Sequence, residues 1–180
     1  MKIESTNIKD LLIITPTIYE DERGYFFESY NVKQMSENGI KTTFVQDNQS
    51  FSKKGTLRGL HYQIKHQQTK LVRVVKGEVF DVAVDLRKNS TTYGKWYGTI
   101  LSDTNMKQLY IPKGFAHGFL TLSDSAIFCY KCDDFYHPND EGGIYWDDET
   151  LKINWPKIEK ITISEKDKHH PQLDEIKIKL

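Results

Sequence analysis

FDVAVDL, residues Phe80–Leu86, is the stretch of this sequence that decides the fold. Apolar and polar side chains alternate along it with a period of two, which is typical of a β-strand. One face of that strand carries the large apolar residues Phe80, Val82, Val84 and Leu86. The other face carries Asp81, Ala83 and Asp85, and two aspartates on one face indicate either a solvated side or a polar cavity. The β-branched residues on the flanking faces favour the cavity.

Similar strand patterns lie at short spacing on both sides of this stretch. Leu71–Val75 is rich in β-branched residues and Lys76-Gly77 supplies a turn, so we expect a hairpin with the strand that follows. Further strands are predicted at Lys95–Leu101, Gln108–Ile111, Gly118–Leu122 and Ala126–Lys131. Turn residues separate them at Asn89-Ser90, Ser102-Asp103, Pro112-Lys113-Gly114 and Ser123-Asp124.

Helical patterns are few and short. Asn31 can cap a helix that carries Val32 and Met35 and ends at Gly39, and a turn is predicted near Ser164–Asp167. Many short strands with little helix favour an antiparallel all-β fold, and the number of strands fits a jelly roll of roughly eight strands. The sequence therefore predicts a jelly-roll β-sandwich or barrel with a few short helices and room inside for a small ligand.

The composition excludes several classes of function. At 180 residues the chain fits one domain, which we expect to span residues 1–180. Lys plus Arg equals Asp plus Glu at 25 each, so no net charge favours nucleic acid or an anionic membrane as a partner. The longest early apolar run, Leu11–Ile14, is far shorter than a signal-peptide core or a membrane span, and we expect a cytoplasmic protein.

The two cysteines lie in Cys129-Tyr130-Lys131-Cys132, a spacing that also occurs in redox and zinc sites. No second cysteine pair completes a zinc site, and the surrounding sequence lacks a βαβ pattern. On an extended strand the two thiols would point to opposite faces. We therefore expect neither chemistry at this pair.

The most informative turn is Pro112–Gly118, which reads Pro-Lys-Gly-Phe-Ala-His-Gly. It resembles the second conserved motif of the cupins, a jelly-roll family in which this histidine often binds a metal ion. The first cupin motif would need two histidines spaced by one residue, with a glutamate a few residues on. That region reads His61-Tyr62-Gln63, and His66 breaks the spacing, so we expect no complete metal site.

Ordered blocks extend over nearly the whole chain, from Asp21–Glu28 to Ser164–Asp167. Between them lie Phe44–Asn48, Leu57–His61, Lys70–Arg73, Gly77–Asp85, Ile111–Phe119 and Tyr130-Lys131. Together these blocks resemble the dTDP-4-dehydrorhamnose 3,5-epimerase family. The resemblance implies a metal-free cupin homodimer, without a cofactor, that inverts C3 and C5 of a dTDP-linked 4-keto-6-deoxy sugar on the way to L-rhamnose.

The resemblance also implies the site residues. His61 is the catalytic base and Asp167 orients it, while Tyr130 donates a proton, at least for C5, and Lys70 meets the oxygen that becomes an enolate. Histidine suits the base because its unperturbed pKa lies near neutrality, and a carboxylate holds an imidazole in one tautomer. The residues implied in substrate binding are Arg23, Phe26, Glu28, Gln46, Asn48, Arg58, His117, Tyr136, Glu141 and Lys166.

One condition attaches to this assignment. Strict alternation would place Arg58 and His61 on opposite faces of a strand, yet both are implied to be near the ligand. A bulge at Gly59 would bring them to one side. The loop Ile64–Thr69 is short compared with some members of the family, and the exact position of Lys70, which directly follows it, depends on the length of this loop.

Three other interpretations stay open. Relatives that act at C3 only or at C5 only share most of these motifs. A metal-dependent cupin oxygenase or isomerase would contain stoichiometric iron, manganese or zinc. A sugar-nucleotide binding module would bind the ligand without exchanging its protons with solvent. His137, His169 and His170 match no function, and we expect them to be surface residues.

Overall fold

The computed structural model describes residues 1–176 and Leu180, and β-strands dominate it. The strands of this range are β1 (Lys2–Ser5), β2 (Leu12–Thr15), β3 (Tyr19–Asp21), β4 (Gly24–Phe26), β5 (Gln46–Lys53), β6 (Leu57–Gln63), β7 (Lys70–Lys76), β8 (Glu78–Asp85), β9 (Trp96–Ser102), β10 (Gln108–Ile111), β11 (Phe115–Thr121), β12 (Ser125–Cys132) and β13 (Glu141–Gly143). Helix α1 (Val32–Glu37) precedes β5, and short 3-10 turns occur at Pro138–Asp140, Asp167–His169 and Leu173–Glu175.

Two antiparallel sheets form the body of the protein. The first sheet has the strand order β1-β2-β10-β7-β12-β5, and the second has the order β13-β6-β11-β8-β9. An apolar core that includes Val72, Phe128, Ala83 and Phe119 fills the space between them. The Phe119 and Phe128 rings, one from each sheet, stack with centroids 4.2 Å apart. The predicted all-β jelly roll is confirmed.

The predicted hairpin between β7 and β8 is wrong. Strand β7 pairs with β10 and β12 in the first sheet, whereas β8 pairs with β9 and β11 in the second. Gly77 lies between them at φ +81°, and its N–H donates to Asp103 Oδ2 at 2.8 Å. A tight turn and two apolar runs are common to a hairpin and to a crossing between facing sheets, so the pattern alone does not separate the two.

Strand β8 is buried on both faces. Its apolar face, with Val82 and Val84, lies outside the sandwich and is covered by Ile144, Leu151 and Leu173 of the C-terminal segment. We use the name C-terminal segment for residues 144–176. The Asp81 face points between the sheets, and the Asp81 carboxylate is fully buried. The aspartate face is therefore interior, and the apolar face is a second core rather than the lining of the barrel.

The predicted helix is confirmed. The Asn31 side chain accepts hydrogen bonds from the N–H groups of Lys33 and Gln34, which caps α1, and Met35 is its buried residue. The chain leaves the helix through Gly39 at φ +87°. Among the described residues, no helix has the length and apolar character needed to cross a membrane.

Candidate active site

A cavity of about 360 Å³ opens between the two sheets. Both sheets contribute side chains to its wall, from central strands and from the edge strands β5 and β13. The first sheet supplies Gln46, Asn48, Lys70, Tyr130 and Cys132, and the second supplies Arg58, His61, His117, Phe119 and Glu141. Side chains from two facing sheets can therefore reach opposite faces of one bound molecule.

The predicted bulge in β6 is present. Arg58 pairs with Phe119 and His61 pairs with His117, so two residues of β6 lie opposite Gly118 alone. Gly59 adopts φ +118°, and a Cβ atom there would overlap the backbone of β11. As a result, Arg58 and His61 line the same cavity.

His61 and Asp167 form a hydrogen-bonded dyad. His61 Nε2 lies 2.8 Å from Asp167 Oδ1, and the Gly59 N–H donates to Asp167 Oδ2 at 3.1 Å. Burial raises the pKa of Asp167, but the neighbouring His170 and His61 rings and the Gly59 amide outweigh it and hold that pKa well below its usual range. Because an ionised carboxylate only accepts hydrogen bonds, Nε2 of His61 carries a proton and a neutral ring has its lone pair on Nδ1.

Asp167 comes from the 3-10 turn of the C-terminal segment. That segment is fastened to the start of β6, where the Leu57 N–H donates to the Thr162 carbonyl at 2.9 Å. The Ser164 hydroxyl then accepts the Asp167 N–H at 3.1 Å, which starts the turn that was predicted there. The dyad therefore joins two parts of the chain that are far apart in sequence.

Lys70 and Tyr130 face the dyad from the first sheet. The Lys70 ammonium lies 5.9 Å from the centre of the Tyr130 ring. Burial lowers the pKa of Lys70, and the negative charge of the Asp81 and Glu141 carboxylates opposes that shift. Burial also raises the pKa of Tyr130, which keeps the phenol protonated.

The remaining polar residues form two groups at the wall and mouth of the cavity. His117 Nε2 is hydrogen-bonded to the buried Asp81 carboxylate at 2.9 Å. At the mouth, Glu141 Oε2 accepts from Lys166 at 2.6 Å and from Tyr136 at 2.7 Å. Burial raises the pKa of Glu141, but these two hydrogen bonds more than offset it, so the carboxylate is charged.

Arg23, Phe26 and Glu28 do not reach the cavity of their own chain. Arg23 is bonded to Asp21 on the exposed β3–β4 hairpin, and Phe26 is 66% exposed. Glu28 accepts hydrogen bonds from the side chains of Asn31 and Gln34 beside α1. The other seven residues predicted to bind substrate lie at the wall or the mouth of the cavity.

His170 was wrongly expected at the surface. Its side chain is 12% exposed, and its Nε2 lies 3.5 Å from Asp167 Oδ1, behind the dyad. Asp81, the partner of His117, was recognised in the sequence only as a cavity residue without a role. Its inward direction and its position opposite Phe119 follow from the register of β8 and β11.

Gln63, which replaces the second histidine of the cupin motif, forms hydrogen bonds to backbone groups through its side-chain amide. Its amide nitrogen donates to the carbonyls of His66 at 2.6 Å and Phe135 at 3.1 Å, and its oxygen accepts the His137 N–H at 2.6 Å. These bonds hold the two loops beside the cavity. Gln63 therefore has a structural task at the position where a metal-binding cupin places a ligand.

The two cysteines are free thiols, and they lie on opposite faces of β12 as predicted. Cys132 lines the cavity, whereas Cys129 lies on the outer face beside Gln49. Burial raises the pKa of the Cys132 thiol to about 11, so this side chain is neutral near pH 7.

Known proteins resemble this chain over nearly its whole length. Residues 5–175 match the family model described as dTDP-4-dehydrorhamnose 3,5-epimerase. The enzyme of that name from Methanothermobacter thermautotrophicus is 54% identical over 172 residues, which cover 94% of this chain and 93% of the relative.

Solved structures agree with this result. The epimerase RmlC of Legionella pneumophila, crystallised with dTDP-4-keto-L-rhamnose, is 53% identical with a TM-score of 0.95, over 97% of this chain and 94% of that one. ChmJ of Streptomyces bikiniensis, a 3'-monoepimerase in complex with dTDP-quinovose, is 30% identical with a TM-score of 0.88, over 94% and 86%. The chain belongs to the dTDP-4-dehydrorhamnose 3,5-epimerase family.

Proposed function

We propose that this protein epimerises dTDP-4-dehydro-6-deoxy-D-glucose at C3 and C5 to give dTDP-4-dehydro-L-rhamnose, a step of dTDP-L-rhamnose biosynthesis in the cytoplasm. One observation carries the proposal. His61, with Asp167 behind it, lines one side of the cavity, and Tyr130 lines the facing side, on the other sheet. Inversion of a carbon needs such a pair, because the proton leaves from one face of the sugar and returns to the other.

The ketone at C4 makes this chemistry accessible without a cofactor. It acidifies the protons on C3 and C5, because the electron pair left by each proton moves onto the C4 oxygen as an enolate. His61 takes the proton on Nδ1, and the imidazolium that forms donates its Nε2–H to the charged Asp167. Positioned acid–base groups of this kind contribute about 10²–10⁴-fold each.

Lys70 would stabilise the enolate. It is the cationic side chain that lines the cavity on the first sheet next to Tyr130. Partial desolvation strengthens the attraction between a cation and a developing oxyanion, because the local dielectric is lower than in water. The ammonium can therefore hold the C4 oxygen through both inversions.

The diphosphate and nucleoside would lie toward the mouth of the cavity. Arg58, whose Nε donates to the Ser52 hydroxyl at 3.1 Å, offers a planar guanidinium for phosphate. Gln46 and Asn48 are joined by a 2.9 Å hydrogen bond and present amides to the ligand. His117, Tyr136, Glu141 and Lys166 complete the polar lining that we assign to substrate.

We also infer a homodimer in which Arg23, Phe26 and Glu28 complete the cavity of the partner. Their exposure supports this arrangement, since an arginine and a phenylalanine suited to phosphate and to a base lie on a projecting hairpin. Light scattering should give the mass of two chains. The mass of one chain would contradict the inference.

Proton exchange with solvent tests the function. The protein is incubated with dTDP-4-dehydro-6-deoxy-D-glucose in heavy water, and deuterium at C3 and C5 is read by NMR. Label at both carbons is the expected result. Label at one carbon would identify a C3-only or C5-only epimerase, as for the 3'-monoepimerase ChmJ. Binding of the ligand without any label would show that the protein is a binding module that does not catalyse the epimerisation.

Tyr130→Phe should separate proton removal from inversion. Removing the phenolic O–H takes away the donor on one face but leaves the His61 base on the other, so loss of the C5 proton should continue. Net inversion at C5 should fall by about 10²-fold or more. The measurement compares deuterium incorporated into recovered substrate with L-configured product. Tyr110→Phe, whose hydroxyl pairs with Thr42 at 2.8 Å outside the cavity, is the matched control. Equal loss of exchange and inversion would contradict the assignment.

A further inference from the structure

A third ionisable side chain stands behind the dyad, and the proposed reaction does not use it. We propose that His61, Asp167 and His170 form a binding site for a divalent transition-metal ion such as Zn²⁺ or Co²⁺, and that the bound ion inactivates the base. Binding of the metal is independent of the proposed function. Inhibition rests on it.

The distances among the three groups fit a shared ion. Asp167 Oδ1 lies 2.8 Å from His61 Nε2 and 3.5 Å from His170 Nε2, and one ligand atom from each residue lies within 4.8 Å of the others. Around a tetrahedral ion with bonds of about 2.0–2.1 Å, neighbouring ligand atoms are roughly 3.3 Å apart. The two separations from Asp167 Oδ1, 2.8 Å and 3.5 Å, lie on either side of that value.

The two rings are also arranged as two imidazoles on one ion would be. Their centroids are 5.5 Å apart and their planes cross at 77°. Two histidines on one tetrahedral zinc ion place their ring centres roughly 5 Å apart, from the same bond lengths. His66, Asp134 and His137 also place one ligand atom each within 4.8 Å of the others. Their two rings stack with centroids 3.7 Å apart at 15°, however, so the ring nitrogens point side by side rather than toward one ion.

His170 Nε2 needs a partner. The atom is buried, and its 3.5 Å contact with Asp167 Oδ1 falls short of hydrogen-bond geometry within the part of the chain that the structure describes. The ring is held in place, because it packs so closely on Gly143 that a Cβ atom there would overlap it. Gly143 pairs with His61 in the sheet, so the fold itself sets the two histidines side by side. A cation between the rings would give this nitrogen a closer partner than the carboxylate 3.5 Å away.

The set of ligands suits a transition metal. Two imidazoles and one carboxylate with an open fourth position match Zn²⁺ and its neighbours better than Mg²⁺ or Ca²⁺, which prefer oxygen. The His61 side chain is 29% exposed, so an ion and a water molecule can enter from the cavity. The charged Glu141, with Oε1 3.9 Å from His61 Nδ1, adds to the negative potential.

The ion would inactivate His61 without touching the sugar. In the active form the proton is on Nε2 and the lone pair is on Nδ1. A metal ion on Nε2 takes the lone pair of that atom, so the proton of a neutral ring moves to Nδ1. That nitrogen can then no longer accept a proton from C3 or C5. Turnover should stop while the nucleotide, which binds elsewhere in the cavity, is still held.

Cobalt absorption tests the site directly and without substrate. Protein freed of metal with a chelator is titrated with CoCl₂, and visible d–d bands are expected to saturate at one ion per chain. His170→Asn should weaken binding by more than about 100-fold, because loss of an outer-shell partner alone costs about 10–100-fold. His137→Asn should bind Co²⁺ with the same affinity as the parent. Bands that vanish in His137→Asn but persist in His170→Asn would overturn the proposal, as would no bands at all.

Zinc inhibition tests the consequence. Zn²⁺ should lower kcat by at least about 100-fold, the scale of a lost general base, with unchanged KM. EDTA should restore the rate. In His170→Asn, zinc should reduce kcat much less than in the parent, when each rate is compared with the rate of the same protein without metal. A rise in KM with constant kcat would place the ion at the substrate subsite and refute the tautomer mechanism. If the parent protein never turns over the sugar, the cobalt titration still decides whether the site exists.

Discussion

His61→Ala should abolish deuterium exchange at both C3 and C5 of the 4-keto sugar. Two histidine–carboxylate pairs line the cavity, one built on His61 and the other on His117. We assign both deprotonations to His61, because its side chain is 29% exposed whereas that of His117 is 8% exposed. Without it the turnover rate should fall by about 10²–10⁴-fold, and isothermal titration should find dTDP binding within a few-fold of the parent. The measurement is the rate of deuterium uptake by NMR under single-turnover conditions.

His66→Ala is the matched control, because this histidine is 47% exposed and does not line the cavity. It should exchange protons at the parental rate. Near-normal exchange in His61→Ala would mean that the base is another residue. Exchange lost at only one of the two carbons would mean that the two protons are removed by different groups.

Asp167→Asn should lower kcat by roughly 10⁴-fold, although it changes one atom. The Gly59 N–H donates to Oδ2 of the native carboxylate, so an asparagine must turn its carbonyl oxygen toward that donor. Its NH₂ group then faces His61 Nε2 and donates to it. The histidine is forced into the tautomer with the proton on Nδ1, and it loses the lone pair that faces the sugar.

Nitrogen-15 NMR of the histidine ring checks this explanation, because the two tautomers differ in which nitrogen is protonated. The proton should be on Nε2 in the parent and on Nδ1 in Asp167→Asn. A rate within tenfold of the parent, or an unchanged tautomer, would contradict the role given to the Gly59 amide.

The lowered pKa of Asp167 also means that its charge stabilises the folded protein above the unfolded pKa, and that this contribution is lost as the pH falls. Asp167→Asn should therefore lose less stability than the parent on acidification.

Local patterns predicted most of the elements but not how the sheets are joined. The alternation of Phe80–Leu86 and the cap at Asn31 depend on neighbours in sequence, and both elements are present. The partner of β7 depends on contacts across the sandwich, which is why Gly77 was taken for a hairpin turn. Alternation also could not show that both faces of β8 are covered, since the cover is the C-terminal segment.

The site was predictable to the extent that family motifs carry it. His61, Lys70 and Tyr130 were expected together, and they line one cavity. Strand geometry required a bulge at Gly59 if Arg58 and His61 were to face one cavity, and that bulge is present. His170 had no motif, because its place follows from the way the C-terminal segment folds back over Gly143.

The position of Asp167 on the C-terminal segment makes the packing of that segment a condition for catalysis. His61 belongs to a strand of the sandwich, but its carboxylate is present only in molecules whose segment is docked. A competent site therefore needs the docked segment in addition to the folded sheets. Sequence changes at the outer core, such as at Leu151 or Leu173, can tune activity from a distance by altering that packing.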